Sequence, residues 1–387
     1  MPPREPFDPD PSAAPFEPRH AVIRAEVRDW VATHLAPYAD EWEAAREFPR
    51  SVYRDAGAAG LLGWKYDERW GGRGPDPLAD VVVAEELVRS GSGGVAAGLG
   101  ATKDLAPYYV ARFGTDEQRE RWLRPAVTGD AVAGLAVTEP GAGSDVAAVT
   151  TSASRDGDGW RLRGTKVFCT NGSRADWLLV AARTVDEPGP HSLALFVVPT
   201  DAPGFTSTRI PTLGWRTSQT GLLHFDDVAL PADAILGAER EGFVMIMKSF
   251  QWERLCLAVG SVSAAAANLA AARDLMTGTD DADDVPARAR LRVVELAQQL
   301  ASVRALTYAA LVDHLAGREP LRQVSAAKWL ACDLDVETAL LRAEAAAPRG
   351  EAASARADRA LRDARLGPIG GGAREVMAEL VARTLGM

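Results

Sequence analysis

The sequence predicts an α+β fold made of three consecutive segments: helical, then strand-rich, then helical again. Three observations carry that expectation. Apolar residues recur at helical spacing through residues 21–124. Between Val132 and Leu236 the texture changes to short β-branched and aromatic runs separated by Gly, Pro and Asp. From Gly242 onward the chain returns to helical patterning rich in alanine, a strong helix former.

In the first segment, HAVIRAEVRDWVATHLAPYADEW (20–42), DPLADVVVAEELVRS (76–90) and TDEQRERWLRPAV (115–127) read as helices. Thr115 and Gln118 have the spacing of a capping box, in which each side chain satisfies the other's free backbone amide. In the second, AVAGLAVT, WRLRGTKVFC, WLLVAART, SLALFVVPT and GLLHFDDVAL read as strands, and DGDG at 156–159 as a hairpin turn. The apolar stretch 243–275 contains Lys248, Glu253, Arg254 and Arg273, so a buried bundle helix is expected rather than a membrane span. MTGTDDADDVPARAR (276–290) is expected to be an acidic linker between two helices. The boundaries that follow are a loose arm over 1–20, a helical domain over 21–128, a β domain over 129–238 and a helical bundle over 239–387.

A formal net charge of −10 argues against nucleic-acid binding, which needs basic surface to meet phosphates. The Pro- and acid-rich N-terminus lacks the apolar core of a signal peptide. Three scattered cysteines form no disulfide framework, and five isolated histidines form no metal motif. A cytoplasmic protein without a metal is expected.

Three stretches carry candidate chemistry. In LAVTEPGAGSDVAAV (135–149), Pro140, Gly141 and Gly143 make a tight loop whose amides, with Thr138 and Ser144, can hydrogen-bond a flat heterocycle or a carbonyl. The same loop can be a purely structural turn; it lacks the GK[ST] of a phosphate-binding P-loop and the Rossmann glycine pattern. In GTKVFCTNGSRADW (164–177), strand alternation puts Phe168 and Thr170 on one face, suited to a flavin or to an ordinary core. Glu253 and Arg254 stand together in the apolar run KSFQWERLCLAVG, either as a structural ion pair or as an acid–base site.

Taken together, AGAAGLLGWKYDERWGGRG (56–74), RFGTDEQRERWL (112–123), VTEPGAGSD (137–145), GTKVFCTNG (164–172), HFDDVALPADAILG (224–237) and RDARLGPIGGGAREVMAELVARTLG (362–386) resemble the acyl-CoA dehydrogenase family. The resemblance covers roughly residues 20–387. It implies an N-terminal helical domain, a central β-barrel-like domain and a C-terminal four-helix bundle. It also implies a reaction in which a carboxylate takes the α-proton of an acyl thioester while FAD takes the β-hydride. Many members carry the base in a tail motif, where this sequence has Gly371. Isovaleryl- and long-chain-like members carry it in an ERL motif, here Glu253-Arg254-Leu255. On that basis Glu253 is the expected base and Arg254 the group that holds it. The resemblance further implies cofactor contacts from Leu135, Val137, Thr138, Gly143, Ser144, Phe168, Cys169, Thr170 and Glu375. Substrate contacts are implied from Ser144, Arg254, Gly370 and Gly371. The implied partners are acyl-CoA or an acyl-carrier protein, within a homodimer or homotetramer, without nucleic acid or membrane.

Three family segments that reach FAD across the subunit interface are altered. The Arg of an RxxFG segment falls near Thr279, with Ala282–Asp283 in place of Phe-Gly. The QxxGGxGY segment falls near Glu344–Arg349, with Ala347 and Pro348 at the paired glycines, and the tail threonine is Ala373. Four readings follow: a FAD enzyme with rebuilt contacts; a subunit of a heteromer whose paralogous partner completes the site; a flavin-free enzyme using Glu253 for proton transfer alone; and a non-catalytic acyl-binding protein.

Overall fold

The computed structural model describes residues 7–9, 15–185, 189–277 and 286–387. The expected linker core at 278–285, with Thr279 and Ala282–Asp283, lies outside the described residues. The first helical segment contains α1 (Pro18–His34), α2 (Ala39–Ala45), α3 (Ser51–Ala58), α4 (Pro77–Leu87), α5 (Gly93–Asp104), α6 (Ala106–Phe113), α7 (Asp116–Gln118) and α8 (Arg124–Val127). Asp76 caps α4 through a 3.0 Å bond from the Ala79 amide. The reciprocal Thr115–Gln118 capping box is present, and Gln118 Nε2 also donates to Asp233 O and Ile235 O, tying this segment to the next.

The middle segment is one eight-stranded sheet. Its strands are β1 (Ala133–Ala136), β2 (Ser152–Asp156), β3 (Gly159–Cys169), β4 (Trp177–Arg183), β5 (Leu193–Pro199), β6 (Phe205–Arg209), β7 (Gly221–Leu230) and β8 (Ile235–Leu236). The bonded order is β6-β7-β3-β2-β4-β5-β8, with β1 parallel to β4. The β2–β3 hairpin turns through Gly157 at φ 59°. Strands β4 and β5 are apolar without alternation because both faces are covered. Leu178, Val180 and Phe196 face the inner core with Trp160, while Trp177 and Leu179 pack against the helical side with Tyr109, Met245 and Ile246.

The last segment comprises α9 (Gly242–Thr277), α10 (Ala287–Leu315), α11 (Leu321–Ala346), α12 (Glu351–Ala364) and α13 (Arg374–Thr384). Helix α9 is long and apolar enough to cross a membrane by length and composition, yet most of that stretch is buried in the protein against α11, α10 and α4. Helix α12 also reaches back to the first two segments: Asp363 accepts from the Gly93 amide (2.9 Å) and the Trp215 amide (2.6 Å).

Two expectations need correction. The arm over 1–20 is docked wherever it is described. Asp8 accepts from Arg28 (3.0 Å) and Arg89 (2.5 Å), and Phe16 packs edge-on to Tyr308, so charge pairing and aromatic burial hold it. Simple alternation also fails at Phe168. A register shift falls between Lys166 and Cys169, Phe168 adopts a left-handed backbone (φ 59°), and β3 ends before Thr170. A bulge re-aims side chains in this way.

Asn171 follows, also left-handed at φ 64°, a conformation Asn tolerates. Fully buried, it accepts from Tyr53 Oη (2.8 Å) and donates to Gly98 O (2.9 Å) and Ala133 O (3.2 Å). It therefore pins the end of β3 to the helical domain. Asn171→Ala strips a buried network of its centre, and a loss of about 2–4 kcal/mol is expected in denaturant unfolding. A loss below about 1 kcal/mol would show that the network is dispensable.

Candidate active site

Glu253 sits about a third of the way along α9. As a residue it is half-buried, but its Oε2 is sealed from solvent and has no hydrogen-bond partner among the described residues. Burial pushes its pKa up to about 7, against the opposing pull of the Arg254 and Lys328 charges; Asp104 adds to the rise. The tail glycine lies beside it: a Cβ built on Gly371 would stand 3.6 Å from Glu253 Oε1 and 2.3 Å from Leu257 Cδ1. Gly371 has φ 65°, and bare backbone is what lets the tail close over this carboxylate.

Arg254 does not hold Glu253 directly. Its Nε donates to Gly371 O at 3.2 Å, and no ion pair joins it to Glu253 among the described residues. Consecutive residues diverge by about 100° around a helix, so the Arg254 guanidinium reaches the Gly371 carbonyl without meeting the Glu253 carboxylate. Lys328 on α11 completes the clamp, donating to Gly367 O (2.8 Å) and Gly372 O (2.6 Å). Both cations are buried, and desolvation lowers both pKa values. The signal for Lys328 was a lone lysine on the apolar stripe of Val324, Ala327 and Ala331, which implies a buried cation with obligatory partners.

The β-domain candidates gather at the ends of β1 and β3. Thr138 O accepts from the Val167 amide at 2.9 Å, joining the two predicted stretches. Gly143 and Ser144 are exposed in the loop after β1, Leu135 and Thr138 are half-buried just before them, and Thr170 is half-buried just after β3. Phe168 is 64 % exposed. Val137 and Cys169 are buried; the Cys169 thiol sits in the sheet core, and burial pushes its pKa up to about 12. Glu375 is exposed in the first turn of α13, and Gly370 is half-buried in the tail.

The loop after β1 is anchored by a pair that sequence reasoning missed. Lys166 Nζ donates to Val137 O (2.9 Å) and Glu139 Oε1 (2.8 Å), and Glu139 also accepts from Thr150 and Thr151. Desolvation draws the Lys166 pKa down to about 8, while its charge and these bonds outweigh burial at Glu139 and take that carboxyl to about 2. An exposed flat aromatic and a glycine loop with two hydroxyls beside it fit one wall of a flavin ring. The segment at the altered glycines is a 3₁₀ turn, Ala347–Arg349, closing α11. It offers no paired glycines for a cofactor's close approach.

The chain thus joins a helical segment, a sheet and a helical bundle whose long helix α9 carries the unpartnered Glu253 Oε2. Three family models cover the chain in order: acyl-CoA dehydrogenase N-terminal domain (residues 17–130), middle domain (134–228) and C-terminal domain (240–386). The rat mitochondrial long-chain specific acyl-CoA dehydrogenase is 34% identical over 376 residues, spanning 96% of this chain and 87% of the relative. The isovaleryl-CoA dehydrogenase of Pongo abelii is 37% identical over 243 residues, or 62% of this chain and 57% of the relative. The crystal structure of an acyl-CoA dehydrogenase from Geobacillus kaustophilus superposes with a TM-score of 0.91 at 32% identity, covering 97% of this chain and 100% of the other. The chain belongs to the acyl-CoA dehydrogenase family. It is an acyl-CoA dehydrogenase-like flavin oxidoreductase of the class acting on CH–CH groups, and members of its family bind FAD.

Lys166→Met leaves Glu139 buried without its cation, and a loss of about 3 kcal/mol is expected from the shift in denaturation midpoint. For Glu253 the sign is opposite to that of a paired carboxylate. Native Glu253 keeps its proton up to about pH 7, while the unfolded group, with the ordinary glutamate value of 4.5, has released it. Stability therefore falls as pH rises through that window. Glu253→Gln is expected to melt above the parent protein at pH 8 and level with it near pH 4; thermal scans at the two pH values check this.

Proposed function

We propose that the protein dehydrogenates an acyl thioester, with Glu253 removing the α-proton. The observation that carries this reading is the Glu253 carboxylate itself: sealed, unpaired, beside the tail glycine, and with a pKa near 7. An α-C–H is a weak acid, so its base must be desolvated and yet remain ionised at working pH. Glu253 Oε2, with no bond to break, is free to accept the proton. Arg254 and Lys328 fix the tail loop through its carbonyls, so the carboxylate and Gly371 keep one geometry. Phe168, Thr138, Gly143, Ser144 and Thr170 would hold one side of FAD, assisted by the backbone at Leu135, Val137 and Cys169. Bound FAD would supply the acceptor for the β-hydride, which no side chain can replace. Gly370, Gly371 and Ser144 would line the thioester's path, with CoA or a carrier protein as the handle that stays attached to the product. A soluble cytoplasmic homo-oligomer completes the proposal.

A second reading has one observation in its favour. Ala347–Pro348–Arg349 replace the glycine segment that family members use on a neighbouring subunit's FAD. This chain could then supply the base-bearing half of a heteromer whose paralogous partner supplies the rest.

FAD titration of the purified chain, followed by its visible spectrum, separates the two. Near-stoichiometric flavin supports the homo-oligomer; flavin bound only with a paralogue supports the heteromer. With flavin bound, kcat/KM is expected to rise with pH through about 7, following Glu253 ionisation. Glu253→Gln is expected to lower it about 10²–10⁴-fold, and full activity in that variant would remove Glu253 from the mechanism.

A further inference from the structure

Helix α10 has two faces that are both made like buried surface. Its inner face packs Leu296, Leu300, Val303, Ala310 and Leu311 into the bundle. The outward stripe runs Leu291, Val294, Gln298, Ala301, Ala305, Ala309 and Val312, at steps of three and four residues, and all of these are exposed. Gln298 is the single polar member and none is charged, whereas the solvent face of a surface helix is ordinarily charged. Leu291 is 59 % exposed and Val294 55 %. The apolar surface continues onto α11 through Leu330, across a groove of about 430 Å³ that also takes in Ser302 and Leu334. A contiguous apolar face of this kind marks an interaction surface.

Two independent features say what covers it. The first is register. The stripe is palindromic about its centre: an antiparallel copy of α10 sets Leu291 opposite Val312, Val294 opposite Ala309 and Gln298 opposite Ala305, with Ala301 beside the two-fold. Alanines at the centre let two helices approach closely, with the larger side chains toward the ends. The second feature is charge. Arg288, Arg290 and Arg292 stand in the first two turns of α10, where the helix dipole repels cations, and Asp313 stands in the last turn, where it repels anions. Arg292 is paired with Glu337 and Asp313 with Arg318, but Arg288 and Arg290 have no ion pair among the described residues. Each end of α10 is therefore unfavourable alone and complementary to the opposite end of a second α10. In the palindromic register, Arg288 falls on the same flank as the second copy's Asp313 and close to its level.

We propose that α10 pairs antiparallel with α10 of a second copy of this chain, about a two-fold axis beside Ala301. The inference rests on the homo-oligomer of the proposed function and not on its chemistry. A surface built for a different chain has no need to be complementary to itself.

The test is the oligomeric state of the full-length protein, supplied with FAD, by sedimentation equilibrium. The parent is expected to be a dimer or a multiple of one, and Val294→Glu, a change at an exposed position, to halve that mass. Arg288→Asp and Asp313→Arg are each expected to weaken association roughly 3–30-fold, and their equimolar mixture to restore it, since mixing rebuilds both pairs across the interface. Mild oxidation of Ala301→Cys is expected to give a disulfide-linked dimer. Ala287→Cys should give none, because an antiparallel pair holds the two copies of that position about 40 Å apart. A parent with the mass of one chain overturns the pairing together with the homo-oligomer. A larger mass that Val294→Glu leaves unchanged, a mixture that associates no better than either charge variant, or cross-linking at position 287 as ready as at 301 overturns the pairing alone. None of these results bears on Glu253, whose role is read separately from kcat/KM of Glu253→Gln.

Discussion

The desolvation of Glu253 is the constraint on which the rest of the site depends. A carboxylate moved out of water is held in its protonated form unless nearby charge draws the proton away. Here burial dominates and Arg254 and Lys328 only moderate it, leaving the pKa near 7. A salt bridge at Glu253 would have produced a weak base occupied by its partner. The two cations instead spend their hydrogen bonds on tail carbonyls, so their field reaches the carboxylate while their donors do not.

Buried lysines and arginines recur as fasteners throughout the molecule, each joining segments far apart in sequence. Lys166 ties β3 to the loop after β1, Lys328 ties α11 to the tail, and Lys65 and Lys103 tie α4 and α5 beneath α9. A buried ion must be paired and hydrogen-bonded, so each of these admits few alternative packings. The arrangement costs stability relative to an apolar core and confers definite geometry where the chemistry needs it.

Two of the seven left-handed non-glycine residues among the described residues lie together at the end of β3. Phe168 and Asn171 both take left-handed conformations within four residues, at the end of the longest strand. The first turns an aromatic ring out to solvent at 64 % exposure, and the second buries an amide at the junction of sheet and helices. Bonds to Tyr53, Gly98 and Ala133 hold the Asn171 conformation in place.

Much was legible in the sequence alone. The order of helical, strand and helical segments followed from periodicity, which reports which face of each element meets a core. The Thr115 capping box and the DGDG hairpin followed from local turn chemistry. The choice of Glu253 as the candidate base came from the ERL stretch together with the bare Gly371, both visible as residues. Tertiary structure decided what local rules cannot: that Arg254 turns to the tail, that Phe168 breaks its strand's alternation, and that Lys328 and Asp104 both bear on one carboxylate. Those facts rest on contacts between residues tens to hundreds of positions apart. Burial and charge there arise from packing, which no window of neighbouring residues contains.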